Sequence, residues 1–149
     1  MIRTFLDKIY QIELPIPFPL KTTNVYLIDE SPRTLVDAGI KTDDSFEALT
    51  QSLEDLGFSI SSIERILVTH GHIDHYGQAQ KISSLSGAPI YIHPKEYGRI
   101  RSFIHSMGFV KSILLRNGTP EPLASEAISY MQSGLNMADC FERLLQRFK

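Results

Sequence analysis

The 149-residue sequence contains no tryptophan and a single cysteine, Cys140. A lone thiol cannot form an internal disulfide, and Cys140 sits in an apolar-periodic segment, so it reads as a small core residue rather than a redox centre. Charge of one sign is not in excess: 15 Lys and Arg stand against 17 Asp and Glu, for a net charge of −2. Without a basic run there is no electrostatic footprint for nucleic acid or an anionic membrane surface, which argues against a nuclease. Long hydrophobic runs are missing as well. No stretch approaches the roughly 18 apolar residues of a spanning helix, and the opening Met1-Ile2-Arg3-Thr4-Phe5-Leu6-Asp7-Lys8 lacks the apolar block of a secretory signal. A cytoplasmic protein is the expectation. What remains is ordinary globular composition, 42% hydrophobic and 21% charged, whose length predicts one domain able to bury a core.

Strand patterning opens the chain. Tyr10-Gln11-Ile12-Glu13-Leu14 alternates until the prolines from Pro15 to Pro19 break the ladder, and Asn24–Ile28, a turn through Ser31-Pro32-Arg33, and Thr34–Asp37 read as a hairpin. Asp44 and Glu47 have the spacing of a capping box ahead of a helix with Phe46, Leu49, Leu53 and Leu56 on one face and Gly57 past its end. Ile66–Thr69 is a short apolar run expected to be a strand buried on both faces. A helix starting near Asp74 should carry Ala79, Ile82 and Leu85 inward and stop at Gly87. Pro89–Ile92 reads as another inner strand, and Pro94 suits the first turn of the next helix. Beyond Asn117-Gly118 the pattern is helical, with Thr119 and Pro120 opening a helix that carries Leu123, Ala127 and Tyr130 or Met131. A final helix aligns Met137, Phe141, Leu144, Leu145 and Phe148. Strands alternating with helices, with one antiparallel hairpin, predict an α/β domain on a mixed sheet: a sheet and motif region over residues 1–100 and a helical segment over 101–149.

The chemistry is concentrated in Thr69-His70-Gly71-His72-Ile73-Asp74-His75-Tyr76-Gly77, where three of the chain's five histidines and an aspartate follow directly on a strand. Imidazole and carboxylate are the donors that borderline cations such as Zn²⁺ prefer, and the carboxyl end of a strand in an α/β pattern is where ligands bind. Side chains two apart in extended backbone point the same way, so His70 and His72 can meet one metal, with Gly71 letting the backbone turn between them. Asp74 and His75 start the next helix and project from another direction, which favours two neighbouring metal positions.

The stretch T-H-G-H-I-D-H-Y-G resembles the H-x-H-x-D-H signature of the metallo-β-lactamase-fold hydrolases, and L-V-D-A-G at Leu35–Gly39 is similar to the strand-ending motif that precedes it there. The resemblance covers about residues 9–100 and implies a four-layer α/β/β/α sandwich with metals at one edge of two sheets. It implies that His70 and His72 ligate one ion and Asp74 and His75 a second, zinc by preference with iron or manganese as alternatives. Asp74 would also orient a water whose pKa the metal lowers toward about 7. Asp37 becomes a carboxylate behind the ligands or, equally, a turn aspartate stabilising its own loop. A histidine at position 75 points toward the glyoxalase-, lactonase- and phosphodiesterase-like members, and histidine rather than glutamate at position 72 toward hydrolysis rather than oxygen reduction. Esters, thioesters and lactones are the implied small-molecule substrates.

The family pattern asks for further ligands from a later half of the fold. Of the remaining histidines, His93 ends a strand before Pro94 and suits a helix cap or a ligand, while His105 lies on a solvated helical face. The second sheet of the sandwich is also missing, which would leave an apolar sheet face uncovered. The expectation is therefore a single, incomplete domain over residues 1–149: the N-terminal half of a longer enzyme, with copies pairing as a homodimer, the alternatives being a dimer or the helical tail covering the open face. The alternative to a hydrolase is a non-catalytic metal-binding or interaction module that dimerises through that face.

Overall fold

Alternating apolar side chains set the sheet. The computed structural model describes residues 1–136, and in it β1 (Ile2–Leu6), β2 (Ile9–Pro15), β3 (Thr22–Ile28), β4 (Thr34–Val36), β5 (Arg65–Val68) and β6 (Ile90–Ile92) lie side by side in chain order. Pairing is antiparallel from β1 to β4 and parallel from β4 to β6, the mixed sheet expected from the hairpin. β1 carries no alternation strong enough to stand out in the sequence.

Register places Ile12 opposite Val25, Leu27 opposite Leu35, Leu35 beside Ile66 and Ile66 beside Ile90. Because side chains alternate along each strand, these residues share one face. Helix α1 (Asp43–Asp55) adds Leu49 and Leu53 to that core, and a helix over Ala79–Ser86 adds Ala79 and Ile82. Ile12, Leu27, Leu35, Leu49, Leu53, Ile66 and Ile82 are fully buried, each contributing about 1.5–3 kcal/mol relative to exposure.

The opposite face carries the row Tyr26–Val36–Leu67–Tyr91, neighbours across four strands. Leu67 is 36% and Tyr91 49% exposed, so β5 buries one face rather than two. Its apolar run reflects a face open to solvent in this chain, which periodicity cannot distinguish from a buried one. β6 stands at the edge of the described sheet, not inside it.

Three helical expectations are corrected. The cap of α1 is Thr42, whose Oγ1 accepts from Ser45 N at 3.3 Å, leaving Asp44 exposed in the first turn. The segment after His72 is two helices, α2 (Ile73–Tyr76) and α3 (Ala79–Ser86). The break at Gln78 turns Ala79, Ile82 and Ser83 inward and leaves Leu85 56% exposed. Helix α4 (Pro94–Arg116) is joined to α5 (Glu121–Asn136) by Lys111–Glu121 at 3.0 Å. The buried seam of α5 is Ala124 and Ile128, one residue beyond the expected Leu123 and Ala127. Met137, Cys140, Phe141, Leu144, Leu145 and Phe148 lie outside the described residues, as do the side chains of His105 and Tyr130. Among the described residues no helix is long and apolar enough to cross a membrane.

Gly39 closes the turn after β4 with φ +81°, and a Cβ there would lie 2.6 Å from Leu14 Cδ1 and 3.0 Å from Gln78 Nε2. Gly39→Ala is expected to lower unfolding stability by about 2–4 kcal/mol, from left-handed strain plus overpacking, measured by urea denaturation. A loss within about 0.5 kcal/mol, the range of ordinary surface substitutions, would show that the turn yields freely.

Candidate metal centre

The two parallel strands β4 and β5 end at the same sheet edge, which brings Asp37 beside Thr69. Asp37 has φ +61° and is 4% exposed. Its Oδ1 accepts from Thr69 N at 2.8 Å, and its Oδ2 takes Thr69 Oγ1 at 2.8 Å and His75 Nδ1 at 2.8 Å. The turn that follows is tied to α2 and its C-terminal continuation: Ala38 N donates to the His75 carbonyl at 2.7 Å, and the buried Gln78 side chain donates to the Ala38 carbonyl at 2.7 Å. Asp37 is thus a buried turn residue whose carboxylate also binds Thr69 and His75.

This network sets the imidazole tautomers. A carboxylate only accepts, so the Thr69 hydroxyl hydrogen goes to Asp37, and Thr69 Oγ1 can only accept from His70 Nδ1, 3.0 Å away. Neutral His70 therefore carries its lone pair on Nε2. Asp37 likewise takes the His75 Nδ1–H, which puts the lone pair of neutral His75 on Nε2. Both free nitrogens belong to one cluster. His70 Nε2 is 3.0 Å from His72 Nδ1, and the His70 and His75 rings are 4.1 Å apart between centroids. His75 Nε2 is 3.4 Å from Asp74 Oδ2. The sequence reading has Asp74 and His75 projecting from another direction at the start of the next helix; α2 is a single turn, and it brings the His75 ring beside that of His70.

Charge follows the geometry. His75 is raised to about 9, first by its hydrogen bond to Asp37 and then by Asp74, against burial. Asp74 is held below the usual carboxylate range, chiefly by His75. Burial, then the neighbouring His75 and His72, lowers His70. At neutral pH His70 is thus neutral and Asp74 ionised, the forms that bind cations, while His75 must give up a proton first.

His93 is not among these groups: it is the N-cap of α4, its Nδ1 accepting from Lys95 N at 3.2 Å. Gly71 does not serve as a left-handed turn. It lacks a side chain because a Cβ would run into Ile100 Cγ1 and lie 2.9 Å from Ile100 Cδ1. Two contributors do not stand out in the sequence. Thr69 could have been found as the hydroxyl residue ending the strand parallel to the one that ends in Asp37. Glu96, whose Oε2 accepts from Gly71 N at 3.1 Å, had no such signal, since an acidic residue in the first turn of a helix is ordinary capping composition.

Among the described residues no group of three or more His, Cys, Asp or Glu side chains is already arranged to hold an ion. The donors come in two pairs. Two ligands of one tetrahedral zinc lie about 3.3 Å apart, and the 3.0 Å of His70–His72 and 3.4 Å of Asp74–His75 are close to that edge. Imidazole and carboxylate at these spacings are chemically suited to a divalent cation, and further ligands would be required to complete a shell.

Known proteins with the same features are longer. The chain is 35% identical over 71 residues to the probable metallo-hydrolase YqjP of Bacillus subtilis, covering 48% of this chain and 22% of that protein. It is 33% identical over 95 residues to the uncharacterized protein Rv2581c of Mycobacterium tuberculosis, covering 62% and 40%. The crystal structure of the metallo-beta-lactamase family protein TTHA1429 from Thermus thermophilus superposes with a TM-score of 0.70 at 30% identity, over 85% of this chain and 43% of that one. BJP-1, a subclass B3 metallo-beta-lactamase of Bradyrhizobium japonicum, gives 0.54 at 25% identity over 65% and 34%. The chain spans less than half the length of each of these relatives. Its sheet with helices on one face is the corresponding part of their α/β/β/α sandwich. With a family model matching residues 19–131, a motif edge built of His70, His72, Asp74 and His75, and this shared fold, the chain belongs to the metallo-beta-lactamase superfamily, a family of metal-dependent hydrolases.

Proposed function

We propose that this chain carries the first part of a dinuclear hydrolase centre, with His70 and His72 holding one cation and Asp74 and His75 a second, acting on a small ester, thioester or lactone. The observation that carries the reading is the orientation network: Thr69 and Asp37 occupy the Nδ1 atoms of His70 and His75, leaving both Nε2 lone pairs for a cation. Imidazole and carboxylate donors favour zinc, with iron or manganese as competitors. When bound, the metal supplies Lewis acidity toward a water and an acyl oxygen. Asp74, kept ionised by His75, would accept a hydrogen bond from the attacking water and orient it. Ester-type substrates suit the site because no basic stripe accompanies it to bind phosphates.

The test is zinc content of the purified chain together with turnover of an ester, thioester and lactone panel. Bound zinc with measurable hydrolysis is the expected result, with the hydrolysis and the zinc of the His70–His72 pair lost in His70→Ala. A chain that takes up no zinc from a buffered excess would overturn the reading. A second reading rests on the exposed Leu67 and Tyr91: a metal-binding module whose open sheet face pairs with a second copy. Zinc without turnover, in a particle of twice the chain mass by light scattering, would favour it.

A further inference from the structure

Helix α4 reaches the motif loop from 25 residues away. The Glu96 carboxylate, in its first turn, accepts from Gly71 N at 3.1 Å through Oε2 and from Arg99 Nη1 at 3.0 Å through Oε1. The Gly71 amide and Arg99 both hold the carboxyl below its ordinary range, so it is ionised at neutral pH and the bond to Gly71 is charge-assisted. One turn further along the same helix face, Ile100 is 5% exposed and fills the space where a Cβ on Gly71 would sit. The peptide between the two imidazoles is therefore held by a carboxylate and by a packed side chain, both supplied by α4. Gly71 separates His70 from His72, so the orientation of this peptide sets where the two rings point.

We infer that Glu96 is a positioning residue for the metal centre: by fixing the Gly71 peptide it keeps His70 Nε2 and His72 Nδ1 facing each other, preset for one cation, and so couples α4 to the site. The inference rests on the metal reading proposed above. Holding donors in place before binding removes ordering that would otherwise be lost when the ion binds. Arg99 is 72% exposed and steadies Glu96 only from its solvent side; it makes no contact of this kind with the loop.

The full chain tests this through two readouts: zinc affinity by competition with a chromophoric chelator, and exchange of the Gly71 amide by NMR on zinc-free protein. Glu96→Ala is expected to weaken zinc binding about 10-fold and to speed Gly71 exchange about 10-fold, with the far-ultraviolet spectrum unchanged. Glu96→Gln keeps an oxygen that can accept from Gly71, and should recover affinity to within about threefold of the parent, while Arg99→Ala stays within about twofold. Parent-like affinity and exchange in Glu96→Ala would overturn the inference, as would Glu96→Gln binding no better than Glu96→Ala. If Glu96→Ala does not fold, slow exchange with parent-like affinity in Glu96→Gln supports the role, and fast exchange with weak binding overturns it. A parent chain that takes no zinc defeats the metal reading and the positioning role with it; Gly71 exchange in the variants then still shows whether Glu96 holds the loop.

Discussion

His70→Ala is expected to lower zinc affinity at least about 100-fold, above the range seen when only a residue behind a ligand is lost. His70 is the shared member of the cluster: its Nε2 faces His72 Nδ1 at 3.0 Å and its ring lies 4.1 Å from that of His75. Its removal leaves the His72 nitrogen without its pair and Thr69 without the ring it orients. His75→Ala should behave differently, taking one donor from the Asp74 pair while sparing His70 and His72. With two cation positions, titration of the parent shows two binding steps, His75→Ala retains the step of the His70 pair, and His70→Ala retains only the other. If His70→Ala loses all metal and His75→Ala none, the chain has one position, not two. Zinc binding in His70→Ala equal to the parent would place the ion elsewhere altogether.

The extent to which this site is legible in the sequence differs by residue, and the differences have physical causes. His70, His72, Asp74 and His75 are legible because four donors within six positions of a strand end have few structural uses in common. The antiparallel hairpin and the buried face of Ile12, Val25, Leu27 and Leu35 follow from period-2 alternation. Leu67 departs from expectation for a related reason: an apolar run says that both faces avoid charge, not that both are covered within the same chain. The approach of His75 to His70 comes from the single turn α2, which ends at Gly77; a lone glycine inside a helical pattern is a weak signal, because it is tolerated as readily as it breaks the helix. Glu96 shows the limit most plainly. Its contact with Gly71 spans 25 residues and comes from how α4 leaves the sheet edge after β6, which no local pattern encodes.

Asp37→Asn is expected to change how stability depends on pH, and this separates the electrostatic role of Asp37 from its role in the turn. Asparagine tolerates the φ of +61° found there, whereas alanine would add about 1–2 kcal/mol of left-handed strain and confuse the comparison. In zinc-free protein His75 is raised from 6.5 to about 9, first by Asp37. A folded-state pKa above the unfolded value gives stability that is fully present below pH 6.5 and is lost as pH rises through about 9. The shift corresponds to a contribution on the order of 2–3 kcal/mol for a ring mostly withdrawn from solvent. In Asp37→Asn the charge and one acceptor oxygen are gone, and the new amide group must face Thr69 or His75 as a donor. Urea unfolding of the parent should therefore show stability falling between pH 6.5 and 9, while the variant is weaker at the acid end and falls less steeply across that window, Asp74 alone still raising His75. Zinc uptake should run the opposite way in the parent, strengthening as pH rises, because the ion competes with the proton on His75 Nε2. Parallel unfolding profiles for parent and variant would mean that Asp37 holds the turn and does not govern the charge of His75.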